Sequence, residues 1–140
     1  MAKRILIVDD NEGIRRALCG LIETDSDFEV CGAAENGREA IEIAERAKPD
    51  LVILDLAMPV LNGLQAAPII TKTVPGVIVM LFTMFEGPRL AEEARSAGVH
   101  AVIPKSRPDK LLENARSLLN MPVGFEISSE RQRRRNGSPN

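Results

Sequence analysis

Apolar residues fall along this chain in two alternating rhythms. Short, nearly unbroken runs at Arg4–Val8, Phe28–Ala33, Leu51–Leu54, Val77–Phe82 and Ala101–Ile103 are separated by stretches where apolar positions recur every three or four residues. The first rhythm predicts strands covered on both faces, the second amphipathic helices. Ile14, Ala17, Leu18, Leu21 and Ile22 make one helical stripe, and Leu111, Leu112, Ala115, Leu118 and Leu119 another. Ala40, Ile43, Ala44 and Ala47 make a third; Asn36 with Glu39 opens it at capping-box spacing, and Pro49 stops it. Pro88 opens a helix carrying Leu90, Ala91, Ala94 and Ala97, with Gly98 as the residue past its end. Asn62-Gly63 marks a turn and a further helix start. Pro68 lacks an amide donor and crowds the preceding turn, so that helix is expected to start late or bend. Five strands alternating with five helices imply a parallel sheet with helices on both faces.

Composition narrows the classes. A chain of 140 residues with 44% hydrophobic and 27% charged positions fits one ordinary soluble domain. The lack of Trp and Tyr removes the usual stacking platforms for bases, and a net charge of −2 argues against a nucleic-acid-binding body. No apolar run approaches the roughly 18 residues of a membrane span. The start, MAKRILIVDD, has too short an apolar stretch and too early an acidic pair for a signal peptide. Cys19 and Cys31 have no metal or redox spacing, which predicts two reduced thiols in a cytoplasmic protein. Apolar periodicity ends near Pro122. Residues 1–121 are therefore expected to fold, and residues 122–140 to be a disordered tail or linker remnant with no output domain. Within that tail the Arg131–Arg135 run reads first as solvated charge and second as a weak phosphate contact.

The chemistry lies where strands stop. Asp9-Asp10, Asp55, Thr83 and Lys105 each follow or end an apolar run. In a parallel sheet those ends share one edge, the edge where open α/β folds bind ligands. Three clustered carboxylates repel one another unless a cation joins them, and Mg²⁺ suits hard oxygen ligands while leaving room for a phosphoryl group. Lys105 can pair with Asp55 at rest and with a phosphoryl oxygen later. A carboxylate nucleophile, a divalent metal and two donors are the parts of phosphoryl transfer to an aspartate, here Asp55. Taken singly, the acid pair reads equally as a helix N-terminal feature and Thr83 first as an ordinary strand end, while a surface lysine is the lesser reading of Lys105. His100, the only histidine, reads as a surface or strand-start residue.

IVDD (Ile7–Asp10), the ILDLAMP run around Asp55, the pair Phe82-Thr83 and IPK ending at Lys105 together resemble the receiver domain of two-component response regulators, over about residues 3–120. The VCGAAENGREAIEIA stretch is most similar to receivers that precede helix-turn-helix output domains. The resemblance implies an α/β, flavodoxin-like (βα)5 three-layer sandwich with a parallel sheet in the order 2-1-3-4-5. It implies Asp55 as phosphoacceptor, with Thr83 and Lys105 contacting the phosphoryl group. Asp10 would bind Mg²⁺ directly and Asp9 through water, with the backbone carbonyl of Ala57 as a further ligand. The implied partner is a sensor histidine kinase or phosphotransfer protein, with a homodimer through the fourth and fifth helices. No nucleic acid would be bound by the domain itself, and no membrane.

Three positions depart from the pattern. Val102 stands where many members carry Phe or Tyr, Met84 where a small residue usually follows the threonine, and Ser106 where a proline often follows the lysine. Without the aromatic, Thr83 and the loop Met84–Pro88, with Phe85 moving, are expected to carry the signal. Met84 is expected to slow access to the phosphoryl site. The competing class is an aspartyl-nucleophile phosphatase, but its usual Asp-x-Asp after the first strand is missing. A dinucleotide enzyme lacks any G-x-G-x-x-G after Val8.

Overall fold

A computed structural model of the protein describes residues 1–122. The Arg131–Arg135 run and nearly all of the expected tail lie outside the described residues. The chain divides into two compact units, Met1–Pro108 and one beginning at Asp109. The first alternates β1 (Lys3–Val8), α1 (Glu12–Glu23), β2 (Phe28–Ala34), α2 (Gly37–Ala47) and β3 (Leu51–Leu54), then α3 (Gly63–Thr73), β4 (Ile78–Thr83), α4 (Pro88–Ser96) and β5 (Ala101–Pro104). The second carries α5 (Asp109–Leu118), with Leu111 and Ala115 buried. The strands form one sheet in the order β2-β1-β3-β4-β5, and every pairing is parallel. With its five helices this is the flavodoxin-like fold that the alternation and the resemblance led us to expect.

Unbroken apolar runs become the centre of the sheet because both faces are covered. All four residues of β3 and the last four of β1 are buried. Leu6, Val8, Val52, Leu54, Val79 and Leu81 share one cluster with Ala40 and Ala44 of α2, Ala66, Ala67 and Ile70 of α3, and Leu90 and Ala94 of α4. Ile5, Ile7, Ile53, Met80 and Phe82 alternate with these and are buried on the opposite face. Each such aliphatic side chain contributes about 1.5–3 kcal/mol on burial. The register is what matters for chemistry. Val8 lies opposite Leu54 and Thr83 opposite Pro104, so residues 9 and 55 leave the sheet as neighbours.

Helix α3 does not start late. Asn62 and Gln65 form a complete capping box, with bonds of 2.8 and 2.9 Å, and the helix runs from Gly63 through Pro68 to Thr73. The reciprocal cap satisfies two first-turn donors and so fixes the start at Gly63, upstream of Pro68. At α2 the expected box is half made: Asn36 accepts from Glu39 N–H, but Glu39 reaches Glu35 N–H instead. Gly98 follows the α4 cap with φ +88°, as its place past the helix end requires.

The loop after β3 carries strain. Val60 has φ +70°, and Leu61 N–H bonds Pro59 O at 2.7 Å across it, a γ-turn of the rarer hand. For a β-branched residue this costs about 1–2 kcal/mol. Both cysteines are free, and burial pushes both thiols up; Cys31 is the extra residue of a bulge where β2 pairs with Ile5 and Leu6. No helix among the described residues is long and apolar enough to cross a membrane.

Candidate functional site

The acid pair is set by the turn from β1 into α1. Asp9 N–H bonds Ala34 O at 3.0 Å, continuing the ladder one residue past β1. Asn11 then caps α1, its side chain accepting from Ile14 N–H at 3.0 Å while its own N–H donates to Asp9 Oδ1 at 2.9 Å. The Arg15 guanidinium, one turn into α1, donates to the backbone carbonyl of Asp9 at 2.7 Å. These bonds leave Asp9 buried and facing inward, while Asp10 is exposed. Asp55 enters by the same device: its N–H bonds Val8 O at 2.9 Å, and its side chain is buried. Lys105 N–H bonds Thr83 O at 2.9 Å, which fixes the lysine at the end of β5.

The expected groups converge. Carboxylate oxygens of Asp9, Asp10 and Asp55 all lie within 4.8 Å of one another. The Lys105 ammonium is 2.9 Å from Asp9 Oδ2 and 3.4 Å from Asp55 Oδ1, so at rest it serves both acids and stands nearer Asp9. Asp9 Oδ2 is buried and meets that ammonium at ion-pair distance but without the alignment of a hydrogen bond. Burial pushes the Asp55 carboxyl above the usual carboxylate range; the Asp9 charge adds to this, and Lys105 offsets only part of it. Burial works against the Lys105 charge too, but contact with Asp9 and the charge of Asp55 raise its pKa on balance. Two of the three acids share one ammonium, and the third lies beside them. That surplus of hard, partly orphaned oxygen donors is a set that fits a divalent cation such as Mg²⁺.

Beside the carboxylates an open cleft of about 530 Å³ is lined by Ile14, Thr83, Met84 and Lys105, among others. Thr83 is fully buried, and its hydroxyl accepts the Phe85 N–H at 3.1 Å. Met84, which lines the cleft, and Phe85 next to it in sequence are 81% and 55% exposed. Ala57 is exposed, two residues beyond Asp55. Val102 is half-buried against the main cluster and Ser106 is exposed, with no cis peptide among the described residues. His100 lies just before β5, where its N–H and Nδ1 both bond the backbone of Val79.

Some contributors had escaped notice. Asn11 carried a legible signal, an Asn directly before a helical stripe. Arg15 carried none, because its target is a backbone carbonyl. Gly63 sits so close that a Cβ there would lie 2.4 Å from the Asp55 carbonyl oxygen.

Comparison with known proteins agrees with this geometry. A family model described as the response regulator receiver domain matches residues 5–116. The chain is 38% identical over 107 residues to a protein-glutamate methylesterase/protein-glutamine glutaminase of Hahella chejuensis, covering 76% of this chain and 28% of that protein. It is 35% identical over 102 residues to the transcriptional regulatory protein LnrK of Bacillus subtilis, covering 73% of this chain and 46% of that protein. The chain thus spans less than half the length of either relative. Among solved structures, the response regulator domain of Thermotoga maritima CheB matches with a TM-score of 0.80 at 30% identity, covering 88% of this chain and all of that one. A LuxR-family two-component response regulator from Aurantimonas sp. SI85-9A1 matches with a TM-score of 0.81 at 28% identity, covering 96% of this chain and 99% of that one.

Proposed function

This chain belongs to the response regulator receiver domain family, and from that premise we propose that it accepts a phosphoryl group on Asp55 from a histidine kinase or phosphotransfer protein. The observation that carries the proposal is the meeting of Asp9 and Asp55 on one ammonium, at 2.9 and 3.4 Å, beside an open cleft. An ionised Asp55 oxygen attacks the donor phosphorus; the new O–P bond replaces the P–N bond of a phosphohistidine, and the imidazole leaves. Burial and the Asp9 charge oppose ionisation of Asp55, and the Lys105 ammonium favours the ionised, nucleophilic form. Asp9, Asp10 and Asp55, with the Ala57 carbonyl, would hold Mg²⁺, which when bound offsets carboxylate repulsion and the charge of the transferred group.

Once Asp55 is modified, Lys105 is free to turn from the lost carboxylate charge to a phosphoryl oxygen. The Thr83 hydroxyl has one proton to donate. That proton is not used in the bond from Phe85 N–H, but carrying the hydroxyl oxygen itself toward the phosphoryl group strains or breaks that bond. The loop Met84–Pro88 then shifts, and with Val102 in place of an aromatic it is the main carrier of the signal. A change in partner affinity follows only if the partner binds the two loop states differently. Met84, which lines the cleft, slows the entry of donor and water. In this reading residues 1–121 are one cytoplasmic receiver that catalyses only its own phosphorylation and dephosphorylation, pairs as a homodimer and binds no nucleic acid itself.

The test is intact-protein mass spectrometry after incubation with a small phosphodonor and Mg²⁺. One added phosphoryl group, absent in Asp55→Asn and after chelation, is expected. A label that persists in Asp55→Asn would sink the assignment. Amide spectra of the two forms should differ across Met84–Pro88, and identical shifts there would remove the loop from the mechanism.

A further inference from the structure

Gly37 opens α2, well separated in sequence from Asp55, and its lack of a side chain is not explained by its backbone. It is absent from the glycines with positive φ. What it lacks is room. A Cβ at this position would lie 2.5 Å from Leu61 O, 2.9 Å from Leu61 Cβ and 3.0 Å from Ala66 Cβ. Its N–H also donates to Leu61 O at 3.0 Å. The tip of the loop after β3 is therefore pressed against the first turn of α2 at a distance that only a glycine permits.

Leu61 is held twice. Its carbonyl accepts from Gly37, and its N–H bonds Pro59 O at 2.7 Å, closing the turn that keeps Val60 at φ +70°. At the base of the same loop Gly63 N–H bonds Leu56 O at 2.9 Å, next to the Asp55 carbonyl. The segment from Asp55 to Gly63 is thus pinned at its base and at its tip, and the pin at the tip comes from α2. A strained turn persists only while its surroundings over-determine it.

We propose that Gly37 is a positioning residue for the Asp55 loop: its contact with Leu61 holds the turn at Val60 and so keeps the backbone beside Asp55 in the arrangement that Mg²⁺ and the phosphoryl group require. The proposal rests on the function proposed above. It carries a reciprocal consequence. If the latch on Leu61 sets how well the site binds, occupation of the site tightens the latch by the same factor.

Two measurements test it, both with Mg²⁺ and beryllium fluoride as a phosphoryl mimic. In the unaltered protein, loading is expected to slow hydrogen exchange at the Gly37 amide about tenfold, the scale on which outer groups tune a metal site. In Gly37→Ala, Mg²⁺ affinity read from the amide shifts of Asp9, Asp10 and Asp55 is expected to fall about tenfold. Adding Val60→Gly should restore much of that loss, because a glycine turn can shift without strain. Lys48→Gly, a change at another positive-φ residue, should restore none. Equal Mg²⁺ affinity in Gly37→Ala, or rescue by Lys48→Gly as good as by Val60→Gly, would overturn the positioning role while leaving the proposed function intact. An unaltered protein that responds to neither Mg²⁺ nor the mimic would overturn both. Should Gly37→Ala fail to fold, exchange at Gly37 in the unaltered protein decides: unchanged exchange on loading ends the proposal.

Discussion

At the edge where the strands begin, Arg4 gathers its neighbours into a matched set. Its backbone N–H bonds Asp50 Oδ2 at 2.8 Å, its guanidinium donates to the carbonyls of Ala47 and Lys48 at the end of α2, and its Nε lies 3.6 Å from Glu29. At the edge where the strands end, Lys105 faces Asp9 and Asp55 with Asp10 close by, and no second cation joins them among the described residues. Both edges hold a basic side chain among acids. In the first, each carboxylate has its own donor and carbonyls take up the rest of the guanidinium, in a setting open to solvent, with Arg4 38% exposed. In the second, two of the acids are buried and one oxygen lacks an aligned partner. An ion pair therefore says little about function; an unbalanced and buried one does.

The contrast breaks or holds on stability first. Lys105→Ala leaves two buried carboxylates without their cation and is expected to lower stability in metal-free buffer by about 2–3 kcal/mol. Arg4→Met loses a solvent-screened pair and some backbone contacts, for about 1 kcal/mol. Urea midpoints for the two variants compare them directly, and equal losses would erase the distinction between the edges.

Removing a charge sharpens it. Asp55→Asn is expected to stabilise the metal-free protein at neutral pH by about 1 kcal/mol, since it relieves a buried repulsion. The sign follows from proton binding. With its pKa raised on folding, Asp55 binds a proton more tightly in the folded than in the unfolded chain. The Asp55 contribution to the stability of the metal-free protein therefore falls as pH rises from the ordinary carboxylate value through the Asp55 pKa, and returns on acidification. Asp55→Asn should flatten that slope.

The smallest effects concern backbone. Each edge has a non-glycine residue at positive φ, Val60 at +70° and Lys48 at +49°. Val60→Gly is expected to stabilise by about 1 kcal/mol, because a β-branched side chain suits that conformation worst. Lys48→Gly, at a helix end where such φ values are common, should gain only about 0.5 kcal/mol. Thermal melts of the pair would rank them.

Much of this was legible beforehand, for identifiable reasons. Apolar runs ending in Asp, Thr and Lys told the edge and its residues, because a parallel sheet brings all strand ends of one sense together. Register did the rest at Asp9 and Asp55, as their flanking residues Val8 and Leu54 pair directly. The late start allowed for α3 does not occur, because the capping box at Asn62 and Gln65 fixes the start that Asn62-Gly63 had marked. The preference of Lys105 for Asp9 was out of reach, since it turns on fractions of an ångström. So was the role of Gly37, which depends on a carbonyl brought near from another loop.

The most direct measurement is a Mg²⁺ titration followed by amide shifts at both edges of the same protein. Saturable shifts at Asp9, Asp10 and Asp55–Met58, with Arg4, Glu29 and Asp50 unmoved, are the expected result. A titration through the millimolar range that moves neither edge, or moves both alike, would contradict the claim that the surplus of carboxylates around Lys105 forms the receiver's phosphorylation site.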